Sequence, residues 1–90
     1  MESSPNLISF IARSKRRKEI LLKLQKNSLS QPELKKLTGM YKAHNSRTLS
    51  ELLEKKLILC RNPTDRVFKF YKITSFGLRV IKEVERIGRL

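Results

Sequence analysis

A helical pattern from Met40 to Lys56 passes without a gap into a β-rich segment, Leu57 to Gly77. In the first, Leu49, Leu52 and Leu53 recur at spacings of three and four, which lines one face of a helix, while Lys42, Ser46, Arg47 and Ser50 lie toward another. In the second, Leu57 to Arg61 and Val67 to Ile73 are rich in β-branched and aromatic residues. They flank Asn62-Pro63-Thr64-Asp65-Arg66, a turn-forming run. The spacing therefore predicts a helix that feeds directly into a hairpin with arginines at its tip.

Upstream, Ser4 and Pro5 predict a short helix carrying Leu7, Ile8, Phe10 and Ile11. Ser14 is placed to cap a second helical stretch to about Lys26, with Ile20, Leu21 and Leu24 on its buried face. Ser30 to Glu33 matches the Ser-x-x-Glu capping box, in which hydroxyl and carboxylate each satisfy a free amide at a helix start. Leu34 and Leu37 are then expected to point inward. Gly39 stands where a left-handed C-terminal cap belongs, so the chain turns sharply and the next helix begins near Tyr41 or Lys42, a helix-turn-helix spacing. After the hairpin, Thr74 is placed to cap a last helix with Leu78, Ile81, Val84 and Ile87 at helical spacing and Val80 on the flank. The expected order is α-α-α-β-β-α: an α+β, mostly helical domain with a three-helix core, a two-stranded β wing and a C-terminal helix.

Size and charge bound what such a chain does. With 90 residues, one domain spanning 1–90 is expected, with little room for a deep ligand cavity. Lys and Arg number 21 against 8 Asp and Glu, a net charge of +13, which favours a polyanionic partner and destabilises the free monomer by self-repulsion. Cys60 is the only cysteine, which leaves no disulfide framework, no Cys-x-x-Cys pair and no thiolate cluster for zinc. Apolar runs such as Leu57 to Cys60 are far short of the roughly 20 residues needed to span a bilayer. The polar start, Met1 to Asn6 with Glu2, does not resemble a secretory signal. A cytoplasmic protein is expected, with no membrane partner and no small-molecule substrate.

The run from Gly39 through His44, Asn45, Ser46, Arg47, Thr48 and Leu49, then Leu52-Leu53-Glu54-Lys55-Lys56-Leu57-Ile58, resembles winged helix-turn-helix transcription regulators of the MarR, PadR and ArsR groups, in their small prokaryotic or archaeal form. The resemblance continues from Arg66 to Ile73 and into Thr74-Ser75-Phe76-Gly77, similar to the Leu-Thr-x-x-Gly step that closes the wing and opens the last helix. It covers roughly residues 14 to 88. The chain departs from the pattern at three positions. Tyr41 replaces the usual Ser or Thr cap. Asn45 replaces a small apolar residue, so its amide needs partners if buried and the helix is otherwise rotated. Lys56 replaces a common glycine, which suits a residue that is not left-handed.

The resemblance implies double-stranded DNA as partner, with the helix at about 42–55 in the major groove and the basic wing at about 57–73 on the backbone or minor groove. Lys42, Ala43, His44, Ser46, Arg47 and Ser50 are the candidate contacts on the helix. Arg47 stands out, because its fork of donors matches guanine O6 and N7 together; gripping a phosphate, or packing on Glu51 one turn on, are the alternatives. Arg61, Arg66 and Lys69 are the wing candidates, unless they are simply solvated charges that blunt a strand edge. Within Arg13-Ser14-Lys15-Arg16-Arg17-Lys18, the cations Lys15, Arg16 and Arg17 oppose the positive end of their helix dipole, which nearby phosphates, or solvent, would relieve.

His44 and Cys60 make no ligand set, and no nucleophile, base and orienting carboxylate fall into a local motif. No catalytic residue, metal or cofactor is expected, and Cys60 reads as a small apolar strand residue. Apolar residues in the first and last helices either pair two chains as a homodimer or cover the core of one. A two-fold dimer sets its recognition helices about 34–36 Å apart on a pseudo-palindromic sequence. A DNA-binding transcription regulator is the leading expectation. The alternatives are a sequence-neutral chromatin or architectural protein and a winged-helix module for protein or RNA contacts.

Overall fold

In the computed structural model, which describes residues 5–65 and 69–88, most helix boundaries follow the punctuation of the sequence. Helix α1 (Pro5–Ala12) is followed by Ser14 in extended backbone, whose hydroxyl accepts from the Arg17 amide at 3.3 Å and starts α2 (Lys15–Lys26). A two-residue strand, β1 (Leu29–Ser30), leads into α3 (Gln31–Thr38). At its start the capping box is complete. The Ser30 amide donates to Glu33 Oε1 at 2.8 Å, and the Glu33 amide donates to Ser30 Oγ at 3.3 Å. Gly39 is left-handed at φ 73°, and its amide bonds the Lys35 carbonyl at 2.9 Å, so the chain turns into α4 (Lys42–Glu54).

The order is α-α-β-α-α-β-β-α rather than α-α-α-β-β-α. The Pro5 segment forms the short helix expected of it, which that order leaves uncounted and which makes five. The hairpin of β2 (Ile58–Cys60) and β3 (Phe70–Ile73) is joined by β1 on the far edge of β3, giving an antiparallel sheet of order β1-β3-β2. Leu29 faces Tyr71 across one ladder and Cys60 faces Tyr71 across the other. Two residues between α2 and α3 carry too little periodicity to announce a strand; β3 supplies the pairing that makes them one. Arg66, Val67 and Phe68, where the sequence expects wing tip and strand, lie outside the described residues.

The C-terminal end of α4 is a Schellman arrangement. The Lys56 amide bonds the Leu53 carbonyl at 3.0 Å, the Leu57 amide bonds the Leu52 carbonyl at 3.0 Å, and Leu52 and Leu57 are both fully buried. The residue between them must be left-handed, and Lys56 is, at φ 63°. The condition under which a lysine suits this glycine position is therefore not met: the hydrogen bonds and the burial of Leu57 outweigh a strain of roughly 1–2 kcal/mol.

Thr74 ties the wing to α5 (Ser75–Gly88). Its hydroxyl donates to the Lys56 carbonyl at 2.8 Å and accepts from the Gly77 amide at 2.9 Å, while its own amide donates to the Leu57 carbonyl at 3.0 Å. Gly77 is required by proximity, since a Cβ there would lie 2.0 Å from the Leu57 carbonyl oxygen.

The core is one cluster in which Ile11 of α1, Ile20 and Leu21 of α2, Leu34 of α3, Leu49 and Leu52 of α4 and Ile81 of α5 have almost no exposure. Three assignments change. Leu37 is 52% exposed, and Val80, expected on the flank of α5, is fully buried while Ile87 is 44% exposed. In α5 the buried positions are 77, 80, 81 and 84, so the inward stripe is rotated from that expected.

Candidate nucleic-acid interface

Helix α4 divides cleanly into a buried and an exposed face. Asn45, Thr48, Leu49 and Leu52 are buried, and Lys42, Ala43, His44, Arg47 and Ser50 are exposed. Arg47 makes no hydrogen bond or ion pair among the described residues, so its guanidinium is free to meet a ligand. Ser46 is different. It is half-buried and its Oγ accepts from Gln31 Nε2, which joins α4 to the first turn of α3.

The start of α4 is uncapped. Tyr41 has the extended backbone of a cap residue (φ −64°, ψ 152°) but makes no side-chain capping bond, which leaves first-turn amides without a side-chain acceptor among the described residues. Its ring is 78% exposed and packs edge-on against His44, with centroids 6.1 Å apart. Across an open groove of about 550 Å³, the walls also include Arg13, Lys15 and Arg16 from the start of α2. The fold thus brings Lys15 and Arg16 to the same groove as His44, with Glu19 as its acidic side chain.

Arg17 does not join them. Its Nε donates to Glu51 at 3.0 Å, its Nη1 donates to the Phe10 carbonyl at 2.8 Å, and the guanidinium carbon lies 3.8 Å from the centre of the Phe10 ring. A run of four consecutive basic residues does not reveal which one turns inward. A rotation of 100° per residue does: Arg17 precedes Ile20 and Leu21 by three and four, which puts it on the edge of the buried face. The pairing also removes Glu51 as a partner for Arg47.

In the wing, Arg61 and Lys69 are exposed, and Arg66 lies outside the described residues. The strands are pinned near the turn by Asn62, whose Oδ1 accepts from the Phe70 amide at 2.8 Å, and by the Arg61 amide on the Phe70 carbonyl at 2.8 Å. Cys60 is half-buried opposite Tyr71, whose hydroxyl is pushed above its ordinary pKa by burial and then by Cys60. Among the described residues no group of three or more His, Cys, Asp or Glu is placed to hold a metal ion, and no helix is long and apolar enough to cross a membrane.

The sequence model of the HVO_A0261 N-terminal domain matches residues 5–89. The chain belongs to this family. No similar sequence is found among curated proteins. Its fold is that of solved MarR-type winged-helix regulators. A cysteine-to-serine mutant of MarR from E. coli superposes with a TM-score of 0.77 at 19% identity over 91% of this chain and 62% of that one. The PcaV transcriptional regulator from Streptomyces coelicolor gives 0.75 at 24% identity over 84% and 56%. The same MarR mutant complexed with operator DNA gives 0.73 at 18% identity over 90% and 62%. The domain spans between half and two thirds of the length of these chains. At such identities the likeness shows the winged helix-turn-helix fold expected from the sequence.

Proposed function

We propose that this chain is the DNA-binding domain of a transcription regulator, single over residues 1–90, with α4 in the major groove and the wing on backbone or minor groove. The observation that carries the reading is the face of α4 opposite the core: Lys42, His44, Arg47 and Ser50 exposed on one side of an uncapped helix start, with Lys15 and Arg16 across the adjoining groove. Free amides and cations together suit phosphate, which positions the helix, and the Arg47 fork suits guanine. Ser46 contributes through Gln31 rather than as a reader of bases. Arg61, Lys69 and Arg66 supply the wing contacts. The fold's likeness to a MarR variant solved with operator DNA supports DNA as the partner.

Pairing into a homodimer through α1 and α5 belongs to this proposal, although Ile11, Val80, Ile81 and Val84 are used in the core of a single chain. Ile87 and the half-buried Leu7 and Ile8 are the more exposed apolar residues there. A net charge of +13 favours one second reading, a sequence-neutral architectural protein. Selection from a random duplex pool at near-physiological salt separates the two. Enrichment of a two-fold motif bound far more tightly than its scramble supports a dimeric regulator. Salt-steep binding without enrichment supports the architectural reading, and no duplex binding removes both.

A further inference from the structure

Glu51 is an acidic side chain on the helix proposed to approach a polyanion, one turn from Arg47. It is only 34% exposed and is held by Arg17, itself 20% exposed, at 3.0 Å. That arginine is also hydrogen-bonded to the Phe10 carbonyl and stacked on the Phe10 ring, while Lys55 Nζ, just past the end of α4, lies 5.6 Å from the same ring centre. One guanidinium thus joins α1, α2 and α4.

A second attachment lies toward the other end of α4, where Asn45 and Ser46 bond Gln31 of α3. Two polar attachments at different points along a helix determine its rotation about its own axis, which apolar packing alone determines loosely because it is not directional. Arg47 lies between them in sequence. We infer that Arg17 and Glu51 are positioning residues that hold the rotation of α4, and with it the aim of Arg47, so that sequence discrimination depends on a carboxylate that never touches DNA. The inference rests on the DNA-binding reading above.

The sign of the effect makes it testable. Removing a negative charge beside a DNA-binding face strengthens duplex binding by general electrostatics. Such a gain leaves the ratio of enriched to scrambled affinity unchanged, whereas positioning predicts that the ratio falls. The measurement is a salt titration of the pool-enriched duplex and its scramble against wild type, Glu51→Ala, Glu51→Gln and Arg17→Lys, with thermal unfolding confirming that each variant is folded at the titration temperature. Glu51→Ala is expected to lower the enriched-to-scrambled affinity ratio by about tenfold, a loss of about 1.4 kcal/mol, without a change in salt slope. Glu51→Gln, whose amide oxygen still accepts from Arg17, restores most of that ratio. Arg17→Lys keeps the charge but loses the planar fork, and is expected to fall with Glu51→Ala. An enriched-to-scrambled ratio that is unchanged or higher in both Glu51→Ala and Arg17→Lys overturns the inference while leaving the DNA-binding reading intact. A wild-type chain that binds no duplex overturns both.

Discussion

The side-chain amide of Asn45 donates to the backbone carbonyl of Gln31 at 3.1 Å from a fully buried position, and its Oδ1 has no hydrogen-bond partner among the described residues. The amide that the sequence flagged is therefore half satisfied, and α4 keeps Asn45 inward rather than rotating it out. Asn45→Ala is expected to destabilise the domain by about 1 kcal/mol, because loss of the bond and some packing is partly offset by removing the unpaired oxygen. Asn45→Asp is expected to cost more, since it adds a charge with no donor to receive it. Urea unfolding at neutral pH ranks the two, and an aspartate variant as stable as the alanine one contradicts this account.

Lys56 offers a gain rather than a loss. Its left-handed backbone is strained for any residue with a Cβ, and its side chain is exposed. Lys56→Gly is expected to be neutral or stabilising by up to about 1 kcal/mol, the relief of strain being reduced by the larger entropy of glycine in the unfolded chain. Lys56→Val is expected to destabilise, because a β-branched side chain tolerates positive φ poorly. A rise in melting temperature for glycine and a fall for valine is the expected pattern.

At the junction of wing and last helix, Gly77→Ala is expected to cost more than about 3 kcal/mol, because its Cβ would meet a backbone oxygen that cannot move without shifting Leu57. Thr74→Ala is expected to cost about 1–2 kcal/mol through loss of the cap on α5 and of the bond to Lys56. Calorimetry of the two variants checks the order, which reverses if the strand-to-helix step is slack.

Arg47 and Arg61 are both exposed, yet their replacement is expected to act differently. Arg47→Ala relaxes discrimination at one base position by about 1–3 kcal/mol, whereas Arg61→Ala weakens all duplexes alike and lowers the salt slope by about 1. Competition with singly substituted duplexes across salt concentrations distinguishes them. If neither change alters duplex affinity, the proposed face is not the one used.

Much of the molecule was legible because its cues are local. The Ser14 and Ser30 caps, the Gly39 turn, the Thr74 cap and the inward set Ile20, Leu21, Leu24, Leu49 and Leu52 need only a helical period and near-neighbour hydrogen bonds, and the structure carries all of them. Of the row Lys42, Ser46, Arg47 and Ser50 read from the same period, all but the half-buried Ser46 are exposed. By itself, then, the sequence determined the helices, the hairpin and the face of α4 that the core leaves free.

Tertiary structure decided what depends on partners distant in the chain. Leu29 and Ser30 became a strand because β3 lies beside them, Val80 turned inward as α5 packed, and Lys56 took a left-handed backbone so that Leu57 could be buried. Arg17 left the basic surface because Glu51, 34 residues away, and the ring of Phe10 were brought to it. Charge and type are properties of a residue, but the role of a cation is set by what lies within hydrogen-bonding distance of it, and that distance exists only in the folded chain.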